Sequence, residues 1–270
     1  MFGENTSNIQ KKKLSMPISK PYHRLWRPVK GYEFAGGWFY DEPHPTLDFL
    51  HDERFICQSE IESLVTTAHL IIRDLYEVFN YVEPNDANLN VFSHRIYELI
   101  LRTATEFESN CKGILRDNGY SKAPKDMNIT DYFKIAAAAK LSEYRVSFNR
   151  WSTPHEFRPF AVWGTATYSP LPWYQSYNSV KHNRYTNFQL ANFDCLMNLV
   201  SGLLCILHAQ YGENMDRACF DGNGVSQVLQ EEVTTNTFTI TAPHFADDDK
   251  YDFIWDSIKG ETNPIQNYLF

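Results

Sequence analysis

The chain has 270 residues, 43% of them hydrophobic and 15% aromatic, with a formal net charge of -8. That apolar content excludes global disorder. The most apolar run, Leu196–Leu207, is broken by Asn198, Ser201 and Gly202 and falls short of the ~20 residues a bilayer span requires, so no membrane partner is expected. The first twenty residues carry Lys11, Lys12 and Lys13 and no continuous apolar stretch, so no secretory leader is read there. The five cysteines are odd in number and scattered, as expected of reduced core thiols, and the protein is expected to be cytoplasmic.

Charge is segregated along the chain. Residues 1–30 hold seven Lys or Arg against one Glu, and residues 211–270 hold three against eleven Asp or Glu. Two such ends either stay solvated or pair with each other. The expected organisation is a basic N-terminal arm over 1–45, a helical core over 46–212, and an acidic C-terminal tail over 213–270 packed on that core.

Prolines, glycines and lysines break any sustained period before residue 45, which is why that stretch reads as an arm. Helical spacing then recurs from about Gln58 to Tyr81 and is closed by Pro84-Asn85-Asp86. A second helix starts at Ser93 as its cap, carries Ile96, Leu99, Ile100, Ala104, Phe107, Cys111 and Ile114 on one stripe, and stops at Asn118-Gly119. A short polar turn between two such helices predicts an antiparallel pair. A third helix fits Thr130–Leu141. From Tyr144 to Asn149 apolar and polar residues alternate, and prolines and glycines follow, so residues 142–170 read as an extended insertion. The window 141–190 holds twelve of the 41 aromatics and five Lys or Arg against two acids. A fourth helix is expected from Pro170 or Pro172 through His182. A fifth, from Asn187 to Gln210, is apolar nearly all round and should be the most buried. The tail alternates as a strand over Thr234–Thr241 and shows no further strong helix. The fold class is therefore mainly α: a four- to five-helix bundle with an aromatic-rich extended insertion and a tail containing a short β-strand.

P-loop, dinucleotide-binding, zincin, nucleophile-elbow and CxxC patterns are all absent. His44, Asp48, His51 and Asp52 match no metal spacing, and no metal or other cofactor is expected. The functional reading centres on Tyr177-Asn178-Ser179-Val180-Lys181-His182, ahead of the long apolar helix. Four residues apart on a helix, Asn178 and His182 share one face, with Lys181 and Arg184 within a turn. Cations interleaved with aromatics suit phosphate contacts and base stacking, or equally a packed loop in which arginines lie over rings.

This run resembles the HEPN superfamily of helical bundles, whose nuclease members carry R-N-x-x-x-H at the end of a helix. The Asn falls on Asn178 and the His on His182, while the Arg position is Tyr177. The resemblance covers roughly residues 56–212 and implies a HEPN-like homodimer with the motif facing its twin. It also implies metal-independent RNA cleavage: His182 moves a proton at the ribose 2′-hydroxyl or the leaving group, and Asn178 holds the scissile phosphate. The Tyr177 phenol would hydrogen-bond a phosphate oxygen without supplying charge, Lys181 or Arg184 would supply the missing positive charge, and Arg145, Arg150 and Arg158 are further candidates to grip RNA or a nucleotide. Glu106 or Glu108 would orient His182 from the second helix. The alternative is a catalytically inert interaction or dimerisation module, in which Asn178 and His182 satisfy each other and nearby carbonyls.

Overall fold

The computed structural model describes residues 17–30, 49, 52–55, 58–212, 225–229, 232–235 and 237–270. The first helix, α1, spans Gln58–Phe79 and buries Leu64, Ala68, Ile71, Ile72, Leu75 and Phe79 along one stripe. Helix α2, His94–Asp117, begins where the Ser93 hydroxyl accepts from the Ile96 amide at 3.2 Å, so the expected cap is the observed one. It ends at Gly119, whose φ of 73° lets the Tyr120 amide reach back to Leu115.

The expected third helix is not continuous. Two single turns, α3 (Ile129–Tyr132) and α4 (Ile135–Ala138), replace it. Between them the Lys134 and Ala136 amides bond three residues back, to Asp131 and Phe133, and this tightening interrupts the α-helical ladder. Asn128 rather than Thr130 caps the first turn, in a reciprocal box with Asp131.

Strand β1 (Arg145–Phe148) falls where alternation placed it. Helix α5 spans Pro172–His182, followed by the single turn α6 (Arg184–Asn187). Helix α7 starts at Phe193, later than expected, because the Asn192 side chain caps it by accepting from the Cys195 amide at 2.9 Å. It runs to Tyr211 and is buried on nearly every side, between α2, α5 and β1. By length and composition α7 could cross a membrane, and in this fold protein covers it instead. The aromatic insertion closes over it: a Cβ added at Gly202 would lie 3.4 Å from the rings of Phe160 and Trp173.

The tail contributes three strands, β2 (Val225–Leu229), β3 (Glu232–Thr235) and β4 (Phe238–Thr241), then one helical turn, α8 (Trp255–Ile258). All strand pairs are antiparallel in the order β1-β4-β3-β2, with Arg145 opposite Thr241 and Phe148 opposite Phe238. The insertion and the tail thus share one sheet, and Phe238 and Ile240 are buried in the hydrophobic core. The fold is mainly helical with this small sheet at one side.

The described part of the expected arm, 17–30, is a core element. Leu25, Trp26 and Val29 are buried, and so are Arg24 and Arg27. Bridges join Ile18 and Val29 to Tyr251, and Tyr22 to Gln266. Lys30 pairs with Asp252 at 3.0 Å, and Lys20 with Glu261. Of the two expectations for the charged ends, pairing is the one seen here. Each exposed pair contributes little, on the order of 0–1 kcal/mol. The stitching therefore rests on the buried rings, with Tyr251 donating to the Leu25 carbonyl. Residues 1–16 and 31–48, with the rest of the arm, lie outside the described residues.

Arg24 is the centre of this attachment. Its backbone is left-handed, with φ 52°, and its guanidinium is fully buried. Nη1 donates to Glu60 at 2.8 Å and Asp117 at 3.1 Å, and Nε donates to Gln210 at 2.9 Å. Gln210 in turn donates to Asn110. The guanidinium lies against Gly113, where the missing side chain makes room for it.

Candidate functional site

Helix α5 is placed by its buried face. Pro172 occupies its first turn, and Trp173, Tyr174, Tyr177 and Val180 point inward. The Trp173 indole donates to the Pro159 carbonyl at 2.7 Å and meets Phe107 edge-on, which locks the helix between α2 and the insertion.

This packing leaves two neighbouring stripes at the C-terminal end. On the first, the Lys181 ammonium donates to the buried Tyr177 hydroxyl at 2.9 Å and lies 5.0 Å from its ring centroid. Burial is the main influence raising the Tyr177 pKa, so the phenol stays neutral beside a charged lysine. On the second stripe, Asn178 is half-buried and His182 exposed. Neither is hydrogen-bonded to the other, and no described side chain pairs with His182.

The ordinary work of a helix end is done by other groups here. The Asn183 amide donates to the Ser179 carbonyl at 3.0 Å. The Asn187 side chain donates to Ser179 and Asn183 carbonyls at 3.3 and 3.1 Å. Asn183 also caps α6 by accepting from Thr186. The Ser179 and Asn183 carbonyls are thus bonded without His182, whose imidazole is exposed in the last turn.

Several expected site residues lie elsewhere. Glu108 does not orient His182: it accepts from the Tyr174 hydroxyl at 2.9 Å, with Lys112 4.0 Å away. Tyr174 precedes His182 by eight residues, about 12 Å along a helix axis, and it belongs to the buried face. Glu106 is half-buried, which raises its carboxyl pKa, and it makes no bond to His182 either. Arg145 and Arg158 both face Glu156, at 3.8 and 3.7 Å. Arg150 lies over Tyr76 and Phe79, and Arg184 over Tyr97 at 5.5 Å. Of the cations named from sequence, only Lys181 has its ammonium fixed on the motif helix itself. Of the rejected metal quartet only Asp52 is described, in a pair with Arg54, and no His, Cys, Asp or Glu cluster suited to a metal occurs among the described residues. Cys111, Cys195 and Cys205 are free and buried, while Cys57 and Cys219 lie outside the described residues.

Sequence reading passed over the rings gathered beside this helix end. Phe188 contacts Phe92 edge-on at 5.5 Å, His94 at 4.7 Å and Tyr97 at 6.1 Å. The available signal was Phe92 directly before the Ser93 cap, the position of a hydrophobic staple toward Tyr97, with Phe188 later in the chain as the ring that both contact. Compared with protein-family models, with curated proteins and with solved structures, the chain matches none.

Proposed function

We propose that the chain binds RNA at the C-terminal end of α5 and cleaves it without a metal ion, as a HEPN-like endoribonuclease of a defence or toxin type acting as a homodimer. The observation that carries this reading is the state of Asn178 and His182. Among the described residues neither is paired with another side chain, the Ser179 and Asn183 carbonyls are bonded by other groups, and Lys181 is anchored on the adjoining stripe. That Asn178 and His182 are not hydrogen-bonded to each other supports this reading over an inert arrangement in which they satisfy each other and nearby carbonyls.

In this reaction the neutral His182 imidazole takes the proton of a ribose 2′-hydroxyl. The 2′-oxygen attacks the adjacent phosphorus, the P–O5′ bond breaks, and a 2′,3′-cyclic phosphate and a 5′-hydroxyl result. The second copy's imidazole, in protonated form, protonates the departing 5′-oxygen. The Asn178 amide donates to a non-bridging phosphate oxygen, and Lys181 supplies the charge that a guanidinium would otherwise bring. Tyr177 acts on the phosphate only through Lys181, as the group that positions it.

A second reading, an inert interaction or dimerisation module, draws on Tyr177 alone: its side chain is committed to the core, where active relatives of the resembled family would place an arginine. The test incubates purified protein with mixed RNAs in EDTA and assays for ends bearing a 2′,3′-cyclic phosphate. Cleavage should disappear in His182→Ala, with thermal stability unchanged because the ring is exposed. Equal product from both proteins would remove the ribonuclease reading.

A further inference from the structure

We infer that the surface from His182 to the start of α2 is a stacking platform for single-stranded nucleic acid, with Phe92, His94 and Tyr185 as base-contacting rings and Lys181, Arg184 and Arg95 as phosphate contacts. This deepens the proposed function and rests on it for the identity of the ligand.

The rings are held out rather than buried. Tyr185 is 96% exposed and Phe92 47% exposed, while His94 and Arg95 are also exposed. The backbone at Phe92 is nonetheless fixed. Phe92 bridges Asn192, and the amides of Phe193 and Asp194 donate to the carbonyls of Val91 and Leu89 at 2.8 and 2.9 Å. Phe188 contacts Phe92, His94 and Tyr97, and the Arg184 guanidinium lies over Tyr97. Single exposed rings are ordinary; what marks this surface is the grouping of Phe92 and His94 around Phe188, with the Arg184 guanidinium over Tyr97 beside them.

Charge selects the occupant. In an acidic protein, residues 87–97 and 157–193 contain no Asp or Glu, and these two segments build the platform and the adjoining motif helix. The acids at the platform's borders are Glu98, paired with Arg95 at 3.3 Å, Glu108, which acts on Lys181 from α2, and Asp194, exposed and bonded through its amide to Leu89. A polyanion with flat faces meets both the cations and the rings, whereas an acidic peptide would meet only the cations. Duplex RNA, with its bases stacked internally, would offer the rings nothing.

The experiment measures fluorescence anisotropy with a fluorescein-labelled 2′-O-methyl oligouridylate of twelve nucleotides, which lacks the hydroxyl needed for cleavage. Phe92→Ala and Tyr185→Ala should each weaken binding about fivefold or more, as expected for loss of one stacked base. Their salt dependence should be unchanged. Arg184→Ala should instead lower the slope of log affinity against log salt by about 0.7. The corresponding duplex should bind more weakly than the single strand. Unchanged affinity in the Phe92→Ala/Tyr185→Ala double variant overturns the platform, and Tyr185 is too exposed for misfolding to obscure that outcome. Concentration-dependent self-association abolished by Phe92→Ala would also overturn it, since a second copy would then be the occupant. The two proposals separate cleanly. Loss of cleavage in His182→Ala with intact ring-variant binding leaves the ribonuclease without the platform; weakened binding in the ring variants with His182-independent background cleavage leaves the platform without the ribonuclease.

Discussion

Gly113→Ala tests the attachment of residues 17–30 to the helical core. A methyl group at Gly113 would overlap Nη1 of Arg24 and stand 2.7 Å from its Cζ. The guanidinium cannot retreat without leaving Glu60, Asp117 and Gln210, because it is fully enclosed. Breaking a buried ion pair costs about 3–5 kcal/mol. The side chains of Glu60 and Asp117 are 34% and 25% exposed, so water takes up part of their charge and the lower end, about 3 kcal/mol, applies. Replacing glycine inside a helix returns up to about 1 kcal/mol. The net loss should be about 2 kcal/mol by urea unfolding followed by far-ultraviolet circular dichroism. In an Arg24→Ala background the obstacle is gone and only the helix gain remains, so the same substitution should stabilise by up to about 1 kcal/mol. The sign reversal is the decisive outcome, a coupling of about 3 kcal/mol between the two sites. A Gly113→Ala effect equal in both backgrounds would refute the placement of Arg24.

His208 predicts acid sensitivity. It is buried on α7 with Nδ1 2.9 Å from the Tyr144 hydroxyl and the Trp26 ring edge-on, and burial lowers its pKa to about 4. Between pH 6.5 and 4 the unfolded chain binds the proton that the folded chain refuses, so stability present at neutral pH falls by about 3 kcal/mol on acidification through that window. His208→Asn, which keeps a polar atom near Nδ1, should flatten the difference between urea midpoints at pH 7 and pH 5; identical slopes in both proteins would contradict a buried neutral imidazole. Tyr177→Phe removes the acceptor for Lys181 and should cost about 1 kcal/mol. Adding Lys181→Met to Tyr177→Phe should cost little more, and additive losses in thermal unfolding would show that the two side chains do not act as a pair.

What the sequence determined by itself was local. Ser93, Gly119 and Pro172 mark helix ends through chemistry confined to a few neighbouring residues, so they were legible without a fold. The all-round apolarity of α7 announced its burial for the same reason. Asn178 and His182 were placed on one face by helical spacing alone; that His182 is exposed and Asn178 half-buried came from the packing of α5.

Tertiary structure decided whatever depended on partners distant in the chain. Arg24 looked like part of a soluble basic arm, because a charge belongs in water unless Glu60, Asp117 and Gln210 converge on it, and those three come from separate helices. The joining of β1 to β4 brings residues 145–148 against 238–241, so the insertion and the tail proved to be one sheet. Glu108 had a plausible spacing for either face of α5, and only the rotation of that helix, set by Trp173 against Phe107 and Pro159, gave it to Tyr174. Periodicity identifies which residues share a face; the packing of one face on another determines what that face meets.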